Sequence, residues 1–380
     1  MNSTSKLDID QFFANNWRRR SLLIRSAYEP EMIFPLISTD ALLELANDEL
    51  AESRVIERQG DSLALHSGPF EELGKLPPDC MLMVNGVEQF NEAISNFLSS
   101  FPLLPRWRVD DLMISLGGQN ASCGAHFDHY DVFLIQLRES KTWFLDAGSH
   151  TDEDLMQDSP IRLLSSFTAT EELNVTPGDM LYIPPGVGHH GINQGEQCLT
   201  LSIGIRNPAI TELISHYADD LCDHLSANEL LNDPIQPEIN DVSRTFLSAQ
   251  LEKAWNHRAQ QLPHWYACYM SEPRTPELFN TVAISSQQVA SALATGTTLR
   301  CHPATRIAPL NLDGHLSWYI NGEVELAELD NPGWMQELED NRYLKMDAGV
   351  LLSQTDMNKL TQLVEIGALE LVGSSDNLGL

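Results

Sequence analysis

Basic side chains are scarce in this chain: 23 Lys and Arg stand against 54 Asp and Glu in 380 residues, a formal charge of −31 at pH 7. Acids outnumber bases in both halves, so no basic face is offered to a phosphate backbone or an anionic membrane surface. Nucleic acid and membrane are therefore not expected as direct partners, and a cationic partner is favoured by the field. Cysteines are few and isolated. Cys80, Cys123, Cys198, Cys222, Cys268 and Cys301 form no C-x-x-C, which is neither a disulfide framework nor a zinc knuckle. Long apolar runs are missing too, none nearing the roughly 18–20 residues that span a bilayer. The opening Met1–Lys6 has no apolar leader core behind it. A reducing cytoplasm is the expected home.

What remains is a chain long enough to bury cores without staples and to form two or three domains. Asp10–Asn16 reads as a short helix and Ser21–Arg25 as a strand. Ser38-Thr39-Asp40 caps an amphipathic run over Ala41–Glu52. From about Asp111 to Arg206 the texture changes to short apolar strands punctuated by Gly and Pro. These are Asp111–Leu116, Asp131–Leu137, Thr142–Leu145, Met180–Ile183 and Cys198–Ile205. That pattern predicts a sandwich or jelly-roll rather than a parallel α/β sheet. After Pro208 the spacing turns helical: Leu213, Ile214, Tyr217, Leu221 and Leu225 form one stripe, equally suited to core or to a subunit interface. Phe246–Ala259, Ser285–Ala294 and Asp356–Gly367 also read as helices, and Asn321-Gly322 as a hairpin turn within Ser317–Val324. Mainly β with α, in three units, is the expected architecture.

The chemistry-bearing stretch is Gly124-Ala125-His126-Phe127-Asp128-His129-Tyr130-Asp131. On a strand, positions i and i+2 share a face, so His126 and Asp128 supply an imidazole and a carboxylate side by side. With one further histidine they make the facial triad of non-haem Fe(II), which leaves coordination positions open. The third ligand is expected in Pro177-Gly178-Asp179-Met180-Leu181-Tyr182-Ile183-Pro184-Pro185-Gly186-Val187-Gly188-His189-His190. There, two turns bracket an apolar strand, and His189 and His190 compete for the role because neighbours on a strand face opposite ways. A lone H-x-D is most often a surface pair, and a lone Pro-Gly-Asp is plain hairpin punctuation; their conjunction in a β-rich region points to iron. His129 and Asp131 form a second H-x-D, which reads as a polar pair at a loop. Iron held this way needs electrons from a cosubstrate to activate O2. If that cosubstrate is 2-oxoglutarate, its distal carboxylate requires a cation deep in the barrel. Lys141 is the candidate, while Arg138 reads as a turn residue. Ser115 and Ser202 can add hydroxyl contacts or serve only as sheet residues.

These segments resemble the JmjC (cupin-type) oxygenases, specifically the bacterial ribosomal oxygenases that hydroxylate an arginine of the sixteenth large-subunit ribosomal protein. The resemblance rests on Phe12–Arg25 with its W-x-x-x-x-L-L-I-R ending, Asp110–Ser115, His126–Phe133, Gly178–Gly191 and Glu212–Ser215. It implies a double-stranded β-helix (JmjC jelly-roll) domain over 1–208, a helical dimerisation region over 209–285 and a winged-helix-like domain over 286–380. It implies His126, Asp128 and His189 as metal ligands, Lys141 as the 2-oxoglutarate partner, and Fe(II), 2-oxoglutarate and O2 as the reagents. A homodimer acting on a basic large-subunit ribosomal protein is the implied assembly and substrate. The sequence departs from close bacterial relatives at Lys141, where they carry arginine and the wider JmjC group lysine. It departs also in the loop Gly117–Gly124. Two rivals are a histidyl hydroxylase of another ribosomal protein and a metal-holding cupin that only binds. A DNA-binding regulator conflicts with the excess of acid over 286–380.

Overall fold

A computed structural model describes residues 7–225, 238, 240–345 and 352–373, apart from 61, 72 and 78. Met1–Lys6 and the end of the expected third domain lie outside the described residues. The chain divides into two compact units. One comprises 1–206 with 273–306 and 329–380, the other 207–272 with 307–328.

The first unit is organised by eleven strands: β1 (Leu22–Ile24), β2 (Ser53–Gln59), β3 (Ser62–Ser67), β4 (Cys80–Val84), β5 (Val109–Gly117), β6 (Val132–Arg138), β7 (Lys141–Ser149), β8 (Glu171–Val175), β9 (Met180–Ile183), β10 (Val187–Asn193) and β11 (Cys198–Ile205). They form an eight-stranded sheet, β1-β9-β6-β11-β5-β4-β2-β3, and a three-stranded sheet, β10-β7-β8. Every pairing is antiparallel, as the jelly-roll reading requires.

The large sheet is covered on both faces, which explains why its strands read as nearly continuous apolar runs. Period-two alternation sorts the side chains. Leu112, Ile114 and Leu116 of β5, Phe133, Ile135 and Leu137 of β6, and Leu199, Leu201 and Ile203 of β11 join one core with Phe12, Ile33, Leu42 and Ile94 from helical segments. The alternate residues of the same strands face the smaller sheet. Val132 and Leu134 pack there with Trp143, Leu145 and Val175.

Local chemistry sets the element ends. Ser38 accepts the Ala41 N–H and starts the helix Thr39–Leu45. That helix stops short of the expected Glu52, because Asn47 and Asp48 tighten into i→i+3 turns and Asp48 then accepts the Leu50 N–H. The Pro177-Gly178-Asp179 turn requires glycine: Gly178 has φ +92°, and a Cβ there would lie 2.3 Å from the Tyr28 carbonyl oxygen. Beyond the jelly-roll, this unit holds helices Ser286–Ala294, Gly333–Asn341 and Gln354–Glu365 with a small sheet of Thr298–Cys301, Tyr343–Leu344 and Leu369–Val372.

In the second unit, helices Ile210–His224, Asp241–Asn256 and Leu262–Ser271 accompany a three-stranded sheet, Ile307–Leu312, His315–Ile320 and Val324–Leu326. Its Asn321-Gly322 turn has positive φ at both residues (53° and 75°), the primed geometry that suits the twist of a hairpin. Among the described residues, no helix is long and apolar enough to cross a membrane.

Candidate metal centre

His126, Asp128 and His189 converge: one ligand atom from each lies within 4.8 Å of the others, the one such His/Cys/Asp/Glu group among the described residues. The Asp128 carboxylate is 3.5 Å from His189 Nε2. The local structure differs from the expected strand. His126 occupies an isolated bridge opposite His189, and the chain bends at His129 and Tyr130. Side-by-side placement of His126 and Asp128 therefore comes from backbone bonds to β10 rather than from strand alternation. His126 and His189 exchange both N–H···O=C bonds (3.0 and 2.7 Å), and the Gly186 N–H donates to the Asp128 carbonyl at 2.9 Å. Gly186, in the Pro-Pro-Gly turn, has φ +78°, so the turn that ends one strand also holds the carboxylate segment.

Each imidazole has one nitrogen against a backbone carbonyl: His126 Nδ1 on Gly124 and His189 Nδ1 on Val187, both at 3.0 Å. A proton on each Nδ1 fixes the tautomer and leaves Nε2 as the ligand. Burial, and then the charge on neighbouring His126, push the His189 imidazole down to about 4, so it is neutral near pH 7. Burial would lower His126 too, but the adjacent Cys123 raises it to about 9, so a metal must displace a proton from that ring. Two imidazoles and one carboxylate on one side of an accessible cavity are the donor set that suits Fe(II).

His190 lies on the other face of β10, its ring near Phe144 and Phe167. The competition thus resolves by alternation, with His189 turned inward. The second H-x-D splits. His129 pairs with Asp152 and Arg162 at the surface, while buried Asp131 accepts from Tyr182 Oη at 2.5 Å and from Arg18. Arg138 is turned away from the cavity, donating to the carbonyls of Phe34 and Ile37.

The site opens on a cavity of ≈ 520 Å³ between the two sheets. Lys141, 3% exposed, lines it from the start of β7 with Nζ 4.8 Å from the Trp143 ring centroid. No carboxylate lies within ion-pair distance of Nζ among the described residues, and burial lowers its pKa. A buried ammonium without a counter-charge is costly, so an anionic group entering the cavity has a strong incentive to bind there. Ser115 and Ser202 also line the cavity, from neighbouring β5 and β11 on the faces opposite the apolar core.

Sequence reading overlooked several cavity residues. Asp111 and Met113 share the β5 face of Ser115, and alternation counted back from that serine identifies both. Burial pushes the Asp111 carboxyl up to about 7, against the pull of Arg274. Cys123 Sγ stands 4.0 Å from His126 Nδ1, and the buried Trp143 indole N–H has no partner among the described residues. Cys123 belongs to the loop Gly117–Gly124 already singled out, three residues ahead of His126, whereas no motif marks the Trp143 indole.

An antiparallel double-stranded β-helix of two facing sheets with a two-histidine, one-carboxylate face defines a metal centre of the cupin class. The comparisons narrow it. The JmjC domain family matches residues 96–213 and the ROXA-like winged helix matches residues 252–370. The chain thus carries, in order, stretches similar to a JmjC domain and to a ROXA-like winged helix. It is 33% identical over 237 residues to the ribosomal protein uL16 3-hydroxylase of Escherichia coli K12, covering 61% of either chain. The alignment thus spans under two thirds of that relative's length. The X-ray structure of E. coli ycfD is similar over 98% of this chain and 100% of its own, at 25% identity and a TM-score of 0.81. A structure of YcfD, a ribosomal oxygenase from E. coli, in complex with cobalt and succinic acid is similar over 97% and 99%, at 25% identity and a TM-score of 0.78.

Proposed function

We propose that this chain is an Fe(II)- and 2-oxoglutarate-dependent oxygenase that hydroxylates an arginine side chain of a large-subunit ribosomal protein. The observation that carries the reading is one cavity holding both the His126–Asp128–His189 cluster and the unpaired, buried Lys141. His126, Asp128 and His189 hold the iron, and Lys141 binds the distal carboxylate, with Ser115 and Ser202 beside the same space. When bound, these reagents supply a two-electron activation of O2 in which one oxygen atom ends in succinate, the other in the hydroxylated side chain, and CO2 leaves. The succinic acid seen with cobalt in the E. coli ribosomal oxygenase matches the product of that decarboxylation.

The protein's own share is placement and exclusion of water. The paired backbone bonds between His126 and His189 fix the two imidazoles before metal arrives. Asp111 and Asp128 are the carboxylates among the residues lining the cavity. With Asp128 committed to metal, Asp111 meets an incoming guanidinium. That contact favours arginine over a neutral histidine ring, and it suits a uniformly acidic protein capturing a strongly basic one.

The remaining assignments belong to the same reading: a JmjC domain over 1–208, a helical dimerisation region over 209–285, a winged-helix-like domain over 286–380, and a homodimer in the cytoplasm. Exposed Ile210 and Ile214 on one helix, and Leu247, Leu251 and Trp255 at i, i+4, i+8 on the next, support self-association. Of the earlier stripe, Tyr217 and Leu221 are buried and serve as core. The deciding experiment incubates the iron-loaded protein with 2-oxoglutarate and purified ribosomal proteins. Fragmentation mass spectrometry should place one added oxygen on an arginine. An oxygen on histidine instead selects the histidyl alternative, and no 2-oxoglutarate consumption with any basic protein selects a binding module.

A further inference from the structure

Gly191 stands in the middle of β10, and its φ lies outside the left-handed region that calls for glycine. Glycine in a strand interior weakens the strand and offers no packing, so the backbone alone gives no reason for it. The reason is space. His189, Gly191 and Asn193 share one face of β10 by alternation, and in the register with β7 they stand opposite Leu145, Trp143 and Lys141. A Cβ at 191 would lie 2.6 Å from Lys141 Cε and 2.8 and 2.9 Å from Trp143 Cζ3 and Cη2. All three separations are shorter than carbon atoms tolerate. The Trp143 ring is buried and packed among Val132, Leu134 and Leu145, and it cannot retreat. The flexible Lys141 stem can.

We propose that Gly191 is the positioning residue that sets the reach of Lys141, and so sizes the cavity for a dicarboxylate of 2-oxoglutarate length. This rests on the reading that Lys141 binds the distal carboxylate. The bare Cα leaves a slot through which the lysine stem passes over the Trp143 ring. Any side chain there drives Cε out and withdraws the ammonium from the position where the far carboxylate meets it. The metal-chelating end of the cosubstrate lies beside His189 and does not depend on that slot.

The test is calorimetric titration of the full-length, Co(II)-loaded protein with 2-oxoglutarate and, separately, with pyruvate, which has the keto-acid end but no distal carboxylate. Gly191→Ala should weaken 2-oxoglutarate roughly tenfold or more, the loss of one charge-assisted contact, and leave pyruvate unchanged. Lys141→Ala should do the same, and adding Gly191→Ala to it should cost no further affinity. If Gly191→Ala leaves 2-oxoglutarate binding intact while Lys141→Ala weakens it, the inference is overturned and the lysine reading stands. If Lys141→Ala has no effect, the lysine reading itself fails. Equal loss of both ligands in Gly191→Ala would overturn the proposal by placing the damage at the metal. Should Gly191→Ala not fold, Gly191→Ala/Trp143→Leu, which removes the rigid ring from the slot, is judged against Trp143→Leu by the same criterion.

Discussion

The cavity wall built from β7 and β10 carries His189, Lys141 and Trp143, with the bare Gly191 behind the last two, whereas the wall built from β4, β5 and β11 presents Met81, Met83, Met113, Ser115 and Ser202. On the first wall His189 is fixed twice, by backbone bonds to His126 and by its own Nδ1, and the Lys141 stem lies against the bare Gly191. On the second, three unbranched thioether side chains and two hydroxyls line the space. Methionine adapts its shape to what it meets. Under the proposed function the contrast separates roles: the narrow sheet holds the reagents at set positions, and the thioethers of the broad sheet, with Asp111, are left to face the protein substrate.

That division has consequences of different size. Alanine at Asp128 or at His189 should abolish substrate-stimulated succinate formation and Co(II) binding; retained turnover in both variants would end the metal assignment. Lys141→Ala should raise the KM for 2-oxoglutarate by roughly tenfold to a hundredfold, about 1.5–3 kcal/mol. The KM for the ribosomal protein should hardly move. On the broad wall the pattern should invert. Asp111→Asn should raise the KM for the protein substrate by about tenfold while 2-oxoglutarate affinity stays. Because burial holds Asp111 up to about 7, it is neutral at pH 6 and charged at pH 8. The protein-substrate KM should therefore fall as pH rises across that interval, and in Asp111→Asn that dependence should vanish. A flat profile in the unaltered protein would remove Asp111 from recognition.

Smaller effects lie outside the cavity. Leu251→Glu, at a position 72% exposed, should convert a dimer to monomer in sedimentation with little loss of thermal stability. It is a cleaner probe than the buried Leu221. Added salt should raise the protein-substrate KM modestly by screening the acidic field; a KM insensitive to salt leaves the −31 as a solubility feature.

Much of this was legible before any fold. Short apolar strands punctuated by Gly and Pro announced a sandwich or jelly-roll, because frequent turns join antiparallel neighbours and a sheet covered on both faces is apolar on alternate and intervening residues alike. His126, Asp128 and the His189-His190 pair stood out by residue type and turn context, and Lys141 by its place ahead of an apolar strand. Less legible were residues with no chemical signature of their own. Asp111 sits beside Asp110 in a chain full of acids, and only strand alternation tells them apart. The helix over Thr39–Leu45 ended early because Asn47 and Asp48 satisfy turns locally, which an apolar stripe does not reveal.

The sequence by itself determined the residue types available for ligation, the period-two patterning and the acidic field, since each is a property of the chain read in order. Tertiary structure alone decided which histidine faces inward and that Asp128 is held by a glycine 58 residues away. It alone showed that Lys141 lies buried without a counter-charge beside Gly191. These are relations between distant segments, and their physical origin is sheet closure: hydrogen-bond register between β7 and β10 fixes which side chains meet, and no linear pattern encodes a register.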